Sequence, residues 1–310
     1  MTVIEHARPS AAVLAGAAVL ALCEEARLSP KPGLVDGRGG GAHDDMDLPL
    51  MLASAEALRP AFHEIAQTAE RTPAGAGLRE RLGVLGRRGE RAMLRATGGV
   101  NTHRGALWAL GLLVAAVAGG AAWHRGAWDG AAWDCGPWDR AIWGRAAARE
   151  AARLAALPDR RAPVGESSHG DLARSRYGAG GARREAENAF PHVTEVALPR
   201  LRAGRAAGLG EEAARLDALL AVMSLLDDTC VLHRGGPDGL RTVRSGARRV
   251  LAEGGASTGP GRAALMELDD ELRARRLSPG GSGDLLAAAL FLDMVPWPEP
   301  AEQEVLACRR

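Results

Sequence analysis

Apolar residues recur every three or four positions along most of the chain, in Ala- and Leu-rich runs interrupted by Gly and Pro clusters. This pattern predicts helices over about 11–28, 47–68, 77–96, 103–119, 140–156, 181–188, 194–207, 211–226, 240–252, 261–276 and 283–293. Only three isoleucines and 4% aromatics leave little of the material strands favour. The expected fold is all-α: a single multi-helix bundle across residues 1–310, with glycine-rich junction loops forming the active site. A chain of this length buries roughly 75% of its unfolded surface.

One periodicity fits no helix. Trp123, Trp128, Trp133, Trp138 and Trp143 recur every fifth residue, and five residues advance a helix by about 140°. With the Gly and Pro between them, they predict an insertion near 121–143 that packs indoles back onto the body.

Charge and cysteines narrow the classes. The 39 basic and 38 acidic residues give +1, with no basic or acidic half, so neither a nucleic-acid nor a membrane-surface partner is indicated. Cys23, Cys135, Cys230 and Cys308 lie far apart and form no C-x-x-C pair, which points to reduced thiols in a cytoplasm. The run AAVLAGAAVLALC, Ala11 to Cys23, has the length of a signal-peptide apolar segment. Glu5 before it, Leu22 beside Cys23 and the following Glu24 and Glu25 favour a buried first helix instead.

Polar chemistry collects at five junctions. The first, SPKPGLVDGRGGGAHDDMD, holds the chain's sole lysine, Lys31, between two prolines, followed by Asp36, His43, Asp44, Asp45 and Asp47. Asp44 and Asp47 would share a helix face at i, i+3. In the second, ATGGVNTHRGALWALGLL, Asn101, His103 and Arg104 open an apolar helix whose free N–H groups suit a phosphate. The third, SSHGDLARSRYGAGGARREAENAFPHV, sets the only tyrosine, Tyr177, before a turn leading to Arg183 and Glu185. The fourth, MSLLDDTCVLHRGG, places Asp227 and Asp228 after an apolar helix and carries Arg234. The helix macrodipole disfavours acids there, so either they meet a cation or substrate, or they cap the next segment. The fifth, RRLSPGGSGDLLAAALFLD, repeats the Arg27–Pro30 wording and offers Ser282 or Asp284 as a helix cap. Carboxylates beside phosphate-binding donors indicate a Mg²⁺-assisted reaction on a phosphorylated substrate. No P-loop signature is present.

The wording of these five segments, in order, resembles the triphosphoribosyl-dephospho-CoA synthase family, from about residue 15 to 295. RAMLRATGGVNTHRGALWALGLL and LSPGGSGDLLAA are most similar to its malonate decarboxylase branch. The resemblance implies an all-helical transferase, a divalent cation, and a reaction of ATP with 3'-dephospho-CoA that gives 2'-(5''-triphosphoribosyl)-3'-dephospho-CoA and adenine. The product is the precursor of a prosthetic group destined for an acyl carrier protein subunit. Arg104 stands where the family often has lysine. A homodimer is left open.

On that reading, Lys31, Arg104 and Arg183 hold the triphosphate with the helix after Asn101. Asp45 and either Asp227 or Asp228 hold Mg²⁺. Glu185 or His103 takes the proton of the acceptor hydroxyl, and His43 or Asp36 assists the leaving adenine. Tyr177, Arg234, Ser282 and Asp284 complete the substrate-binding set. Two rivals stand beside it. One is a prenyl-diphosphate type of all-α Mg²⁺ enzyme, whose D-D-x-x-D spacing is missing here; the other is a non-catalytic nucleotide-binding assembly factor.

Overall fold

The structure is a computed structural model and describes residues 8–120, 140–163 and 175–297. Among these residues every regular element is helical, and the sole bridge joins Asp36 to Gly39 in a turn. The first half comprises α1 (Ala11–Arg27), α2 (Leu48–Ala57), α3 (Arg59–Arg71), α4 (Ala76–Ala96), α5 (Arg104–Ala118) and α6 (Arg140–Ala156). Then follow α7 (Gly181–Glu187), a π-helical turn (His192–Ala197), α8 (Leu198–Ala206), α9 (Glu211–Met223), α10 (Thr229–Ala252), α11 (Gly259–Ala274) and α12 (Gly280–Met294).

Two helices are apolar on nearly every face and form the centre. In α5, every residue from Ala109 to Ala118 is buried, and in α12 every residue from Leu285 to Leu292. Small Ala and Gly side chains let α1, α3 and α6 close around them. One apolar cluster runs from Ala11 to Trp297 through this centre. Among the described residues, no helix is long and apolar enough to cross a membrane.

The structure redraws three boundaries. The expected helix over 47–68 is split, because Pro60 cannot donate to the ladder and starts α3 afresh. Asp47 accepts from the Leu50 N–H at 2.8 Å as the N-cap of α2, so Asp44 and Asp47 share no helix face; Asp44 lies in the preceding loop and pairs with Arg276. Ahead of the helix expected from 240, a further helical stretch starts at Thr229, and the two parts of α10 meet at a kink where Gly236 (φ +59°) leaves helical conformation before Pro237. Trp123, Trp128, Trp133 and Trp138 lie outside the described residues. Trp143 is buried at the start of α6, stacked on Trp297 with ring centroids 6.2 Å apart.

Candidate active site

Three helix N-termini meet at one place. Asp228 caps α10, its Oδ1 accepting from the Cys230 and Val231 N–H groups at 3.0 and 3.4 Å. Its Oδ2 reaches the first turn of α12, accepting from the Ser282 N–H at 2.9 Å and the Ser282 hydroxyl at 3.0 Å. Two residues further along α12, Asp284 accepts from the Ala106 N–H in the first turn of α5. Gly105 permits that approach, since a Cβ there would lie 2.0 Å from Asp284 Oδ2. The positive ends of three helix dipoles therefore converge, a setting that favours anions.

Two cavities flank this junction. The smaller, about 400 Å³, is lined by Glu25, Lys31, His43, Asp45, His103 and Arg234 among others. The larger, about 610 Å³, is lined by Arg79, Trp108, Arg183, Glu185, Asp227 and Asp228 among others. Asn101, Arg104, Gly105, Cys230 and Asp284 line both, so the cavities share a wall.

Lys31 is not a surface charge. Its side chain is 1% exposed, and Nζ donates to the Glu25 carbonyl at 2.7 Å and to Glu25 Oε1 at 2.6 Å. Two of the three ammonium protons are thus committed at the end of α1, leaving one on the side of the smaller cavity. Glu25, missed in the sequence, is the buried partner; the signal was an acid closing an apolar helix, where the dipole disfavours it.

His103 is buried in the same wall. Its Nδ1 lies 2.8 Å from the Ser54 hydroxyl, which meets the Thr102 hydroxyl at 2.5 Å, while Nε2 has no partner among the described residues. Burial, helped by the nearby charge of Lys31, lowers its pKa to about 3, so the ring is neutral. Asp284 is driven the opposite way: burial first, then the charges of Glu25 and Asp228, raise its pKa well above the ordinary carboxylate range. Burial also raises Asp228, against the hydrogen bonds from Ser282, Cys230 and Val231.

The remaining sequence candidates occupy varied places. His43 Nε2 lies 2.9 Å from the Ser278 hydroxyl, and the Arg234 guanidinium, 3.0 Å from His43 Nδ1, also donates to the Ala42 and Arg276 carbonyls. Arg234 therefore fastens the first junction to the fifth. Burial and the Arg234 charge hold the His43 pKa below its ordinary value. Asp36 lines neither cavity. Burial pushes its carboxyl up, but hydrogen bonds from Arg38 and from the Lys31 N–H more than offset this and leave it below the usual range. Glu185 is buried in the larger cavity, its carboxylate accepting from the His192 N–H at 2.9 Å and facing His192 Nδ1 at 2.8 Å. Arg104 pairs with Glu90, and Arg183 with Glu187 at 2.8 Å. Lys31 and Arg183 lie on different cavities, with Arg104 on both. Ser282 is wholly engaged with Asp228, and the Tyr177 ring lies under Arg176 rather than on either cavity.

As for a cation, all four contacts of Asp228 are taken by N–H and O–H donors. Asp227 pairs with Arg244 at 2.8 Å, and exposed Asp45 lies 3.5 Å from His43. Asp45 and the Asp227–Asp228 pair line different cavities, and no group of three His, Cys, Asp or Glu that could hold a metal ion occurs among the described residues. These acids do not form a protein cage; a Mg²⁺ bound mainly by phosphate oxygens and water needs only one or two carboxylates.

Comparison with known proteins identifies the family. The sequence profile of the family described as ATP:dephospho-CoA triphosphoribosyl transferase matches residues 11–302. A Klebsiella pneumoniae protein named 2-(5''-triphosphoribosyl)-3'-dephosphocoenzyme-A synthase is 51% identical over 292 residues, 94% of this chain and 97% of its own. Proteins named as probable synthases of the same kind are similar too. That of Pseudomonas aeruginosa is 54% identical over 91% of this chain and 90% of its own, and that of Azotobacter vinelandii 52% identical over 92% of each. No solved structure matches the chain. Matched over nearly its whole length, the chain belongs to the ATP:dephospho-CoA triphosphoribosyl transferase family and is a transferase.

Proposed function

We propose that this protein transfers the 5-triphosphoribosyl group of ATP to the 2'-hydroxyl of 3'-dephospho-CoA, releasing adenine. The product would be the prosthetic-group precursor for the acyl carrier protein of a malonate decarboxylase, made in the cytoplasm. The observation that carries the reaction is the pair of cavities meeting at one wall, with Asp284 on both. Two large anionic substrates must meet at one carbon, and this layout gives each a room and a common face.

In this reading ATP occupies the smaller cavity. Lys31, Arg104 and Arg234 offset the triphosphate charge, aided by the converging helix N-termini. Dephospho-CoA occupies the larger cavity and presents its 2'-hydroxyl at the shared wall. The C1'–N9 bond breaks, the O2'–C1' bond forms, and the triphosphate stays intact. Adenine leaves with the electron pair of the broken bond and accepts a proton; the hydroxyl loses one. Asp284, its proton held by burial and two neighbouring acids, supplies the first proton. Glu185, oriented by His192, accepts the second from the far side of the ribose. Neutral His103, fixed through Ser54, offers Nε2 to the nucleotide. Asp45, an exposed carboxylate lining that cavity, would hold a Mg²⁺ whose charge would offset that of the triphosphate.

The test is chromatography of adenine. Adenine should form only when ATP, dephospho-CoA and Mg²⁺ are all present. Adenine from ATP alone, or none at all, contradicts the reading; diphosphate release instead would support the prenyl-diphosphate rival.

A further inference from the structure

Between α4 and α5 lies a slot of about 170 Å³ that the groups above do not use. Its interior is apolar, formed by Ile65, Leu82, Leu107 and Leu112 with Gly86 and Gly111. Its rim is charged. Arg79, Arg104, Trp108 and Asp159 line both the slot and the larger cavity, so one opens from the other.

Two features mark the slot as built. Glycine inside a helix costs about 1 kcal/mol relative to alanine, yet α4 turns both Gly83 and Gly86 toward it. At Gly83 the Asp159 carboxylate fills the place of a Cβ, which would lie 1.9 Å from Oδ2; at Gly86 nothing lies within 4 Å, so its open side is slot. The second feature is Arg79. It is 7% exposed and lies over the Trp108 ring at 5.1 Å, and its Nε has no hydrogen-bond partner among the described residues. Its nearest acid, Asp159, is 3.7 Å away and held more closely by Arg87 at 2.6 Å. Burial weakens Arg79's hold on its proton; Asp159 opposes this, and the charges of Arg183 and Arg87 add to it. A buried guanidinium with an unspent donor therefore stands where the larger cavity narrows into an apolar channel.

A cationic mouth followed by a narrow apolar slot is the complement of a nucleoside diphosphate carrying a long, thin, mostly apolar arm. We infer that the α4–α5 slot takes the thiol end of the pantetheine arm of dephospho-CoA, with Arg79 at the mouth binding its diphosphate. The inference rests on the proposed acceptor. An apolar cavity of ~150 Å³ takes one benzene ring, so the slot has room for about six non-hydrogen atoms. That fits the terminal cysteamine and the carbonyl joined to it, and it is too small for a purine. The dimethyl-bearing half of the arm stays in the larger cavity.

Gly86→Leu fills the slot from an open position, and Gly86→Ala fills it partly while favouring the helix. KM for dephospho-CoA should rise about tenfold or more in Gly86→Leu and less in Gly86→Ala. KM for ATP and the melting temperature should not fall behind wild type. ADP is dephospho-CoA without the arm, so its inhibition constant against dephospho-CoA at saturating ATP should stay the same in both variants, whereas Arg79→Gln should weaken both ligands. An unchanged KM for dephospho-CoA in Gly86→Leu, or an equal loss for ADP, overturns the inference. Wild-type protein that yields no adenine from the two substrates would instead remove the proposed reaction. Calorimetry of dephospho-CoA on wild type and Gly86→Leu then decides the slot by itself, with equal affinities refuting it.

Discussion

Replacing Lys31 by methionine isolates what the lone lysine does. The side chains of Lys31 and Glu25 are 1% and 7% exposed, and Nζ–Oε1 is 2.6 Å. Methionine keeps much of the volume but strands Glu25 in the core. Breaking a buried pair from one side costs about 3–5 kcal/mol. Unfolding entropy of ~2.1 cal/mol/K per residue makes that a fall of about 5–8 °C in Tm for a chain this long. The double variant Lys31→Met/Glu25→Gln removes both charges, and most of the loss should return, because the cost lies in the unpaired carboxylate rather than in the missing bond. Thermal unfolding of the four proteins of this double-mutant cycle measures it directly. Effects that add within about 0.5 kcal/mol, or a Lys31→Met protein melting with wild type, would refute the pairing argument. Lys31→Arg separates the second role. It keeps the charge next to Glu25, but a planar fork replaces the compact ammonium facing the cavity, so the fold should persist while KM for ATP rises about tenfold. Unchanged ATP saturation would remove Lys31 from the triphosphate site.

Three further outcomes follow from the site. Asp284→Asn removes a carboxyl whose charging opposes the fold as pH rises past the unfolded value, so it should be at least as stable as wild type near neutral pH; adenine release should fall by about 10²–10⁴, and near-normal turnover would exclude Asp284 as the acid. Gly105→Ala should raise helix propensity by up to about 1 kcal/mol yet cost at least about tenfold in turnover, because its Cβ meets Asp284 Oδ2; kinetics and melting on one preparation separate the two effects. His103 is held near pKa 3, below its ordinary 6.5, so the unfolded chain takes up a proton that the native state refuses. Stability from this group is full above about pH 6.5 and declines by about 2 kcal/mol on going to about pH 5; urea unfolding of His103→Gln at both pH values should show that loss reduced, and an identical loss would place the ring elsewhere.

Much of the fold was legible because helix and loop are written locally. The apolar runs marked α1, α5 and α12, and the Gly and Pro clusters marked the junctions that converge. Where reading failed, long-range pairing decided. Gly235-Gly236-Pro237 does break the helical path, as Gly236 leaves helical conformation before Pro237, but the helical stretch ahead of it, started by the Asp228 cap, was not read. Asp227 and Asp228 left two accounts open, and for Asp228 the cap is the one seen: its oxygens join the start of α10 to Ser282, 54 positions on, in the first turn of α12. Lys31 stood out by composition, yet Glu25 was read only as an acid that argues against a signal peptide, not as its partner. The α4–α5 slot depends on Gly86 and Leu107 lining one space, and no local pattern announces a space between helices.

The central claim is that ATP gives up its triphosphoribosyl group whole to dephospho-CoA at the wall carrying Asp284. Mass spectrometry of the dephospho-CoA product tests this most directly. The account predicts one added triphosphoribosyl unit at the adenosine 2'-oxygen, matched mole for mole by free adenine and lost in Asp284→Asn. Dephospho-CoA recovered unchanged beside free adenine, or a product carrying only phosphate or diphosphate from ATP, would contradict it.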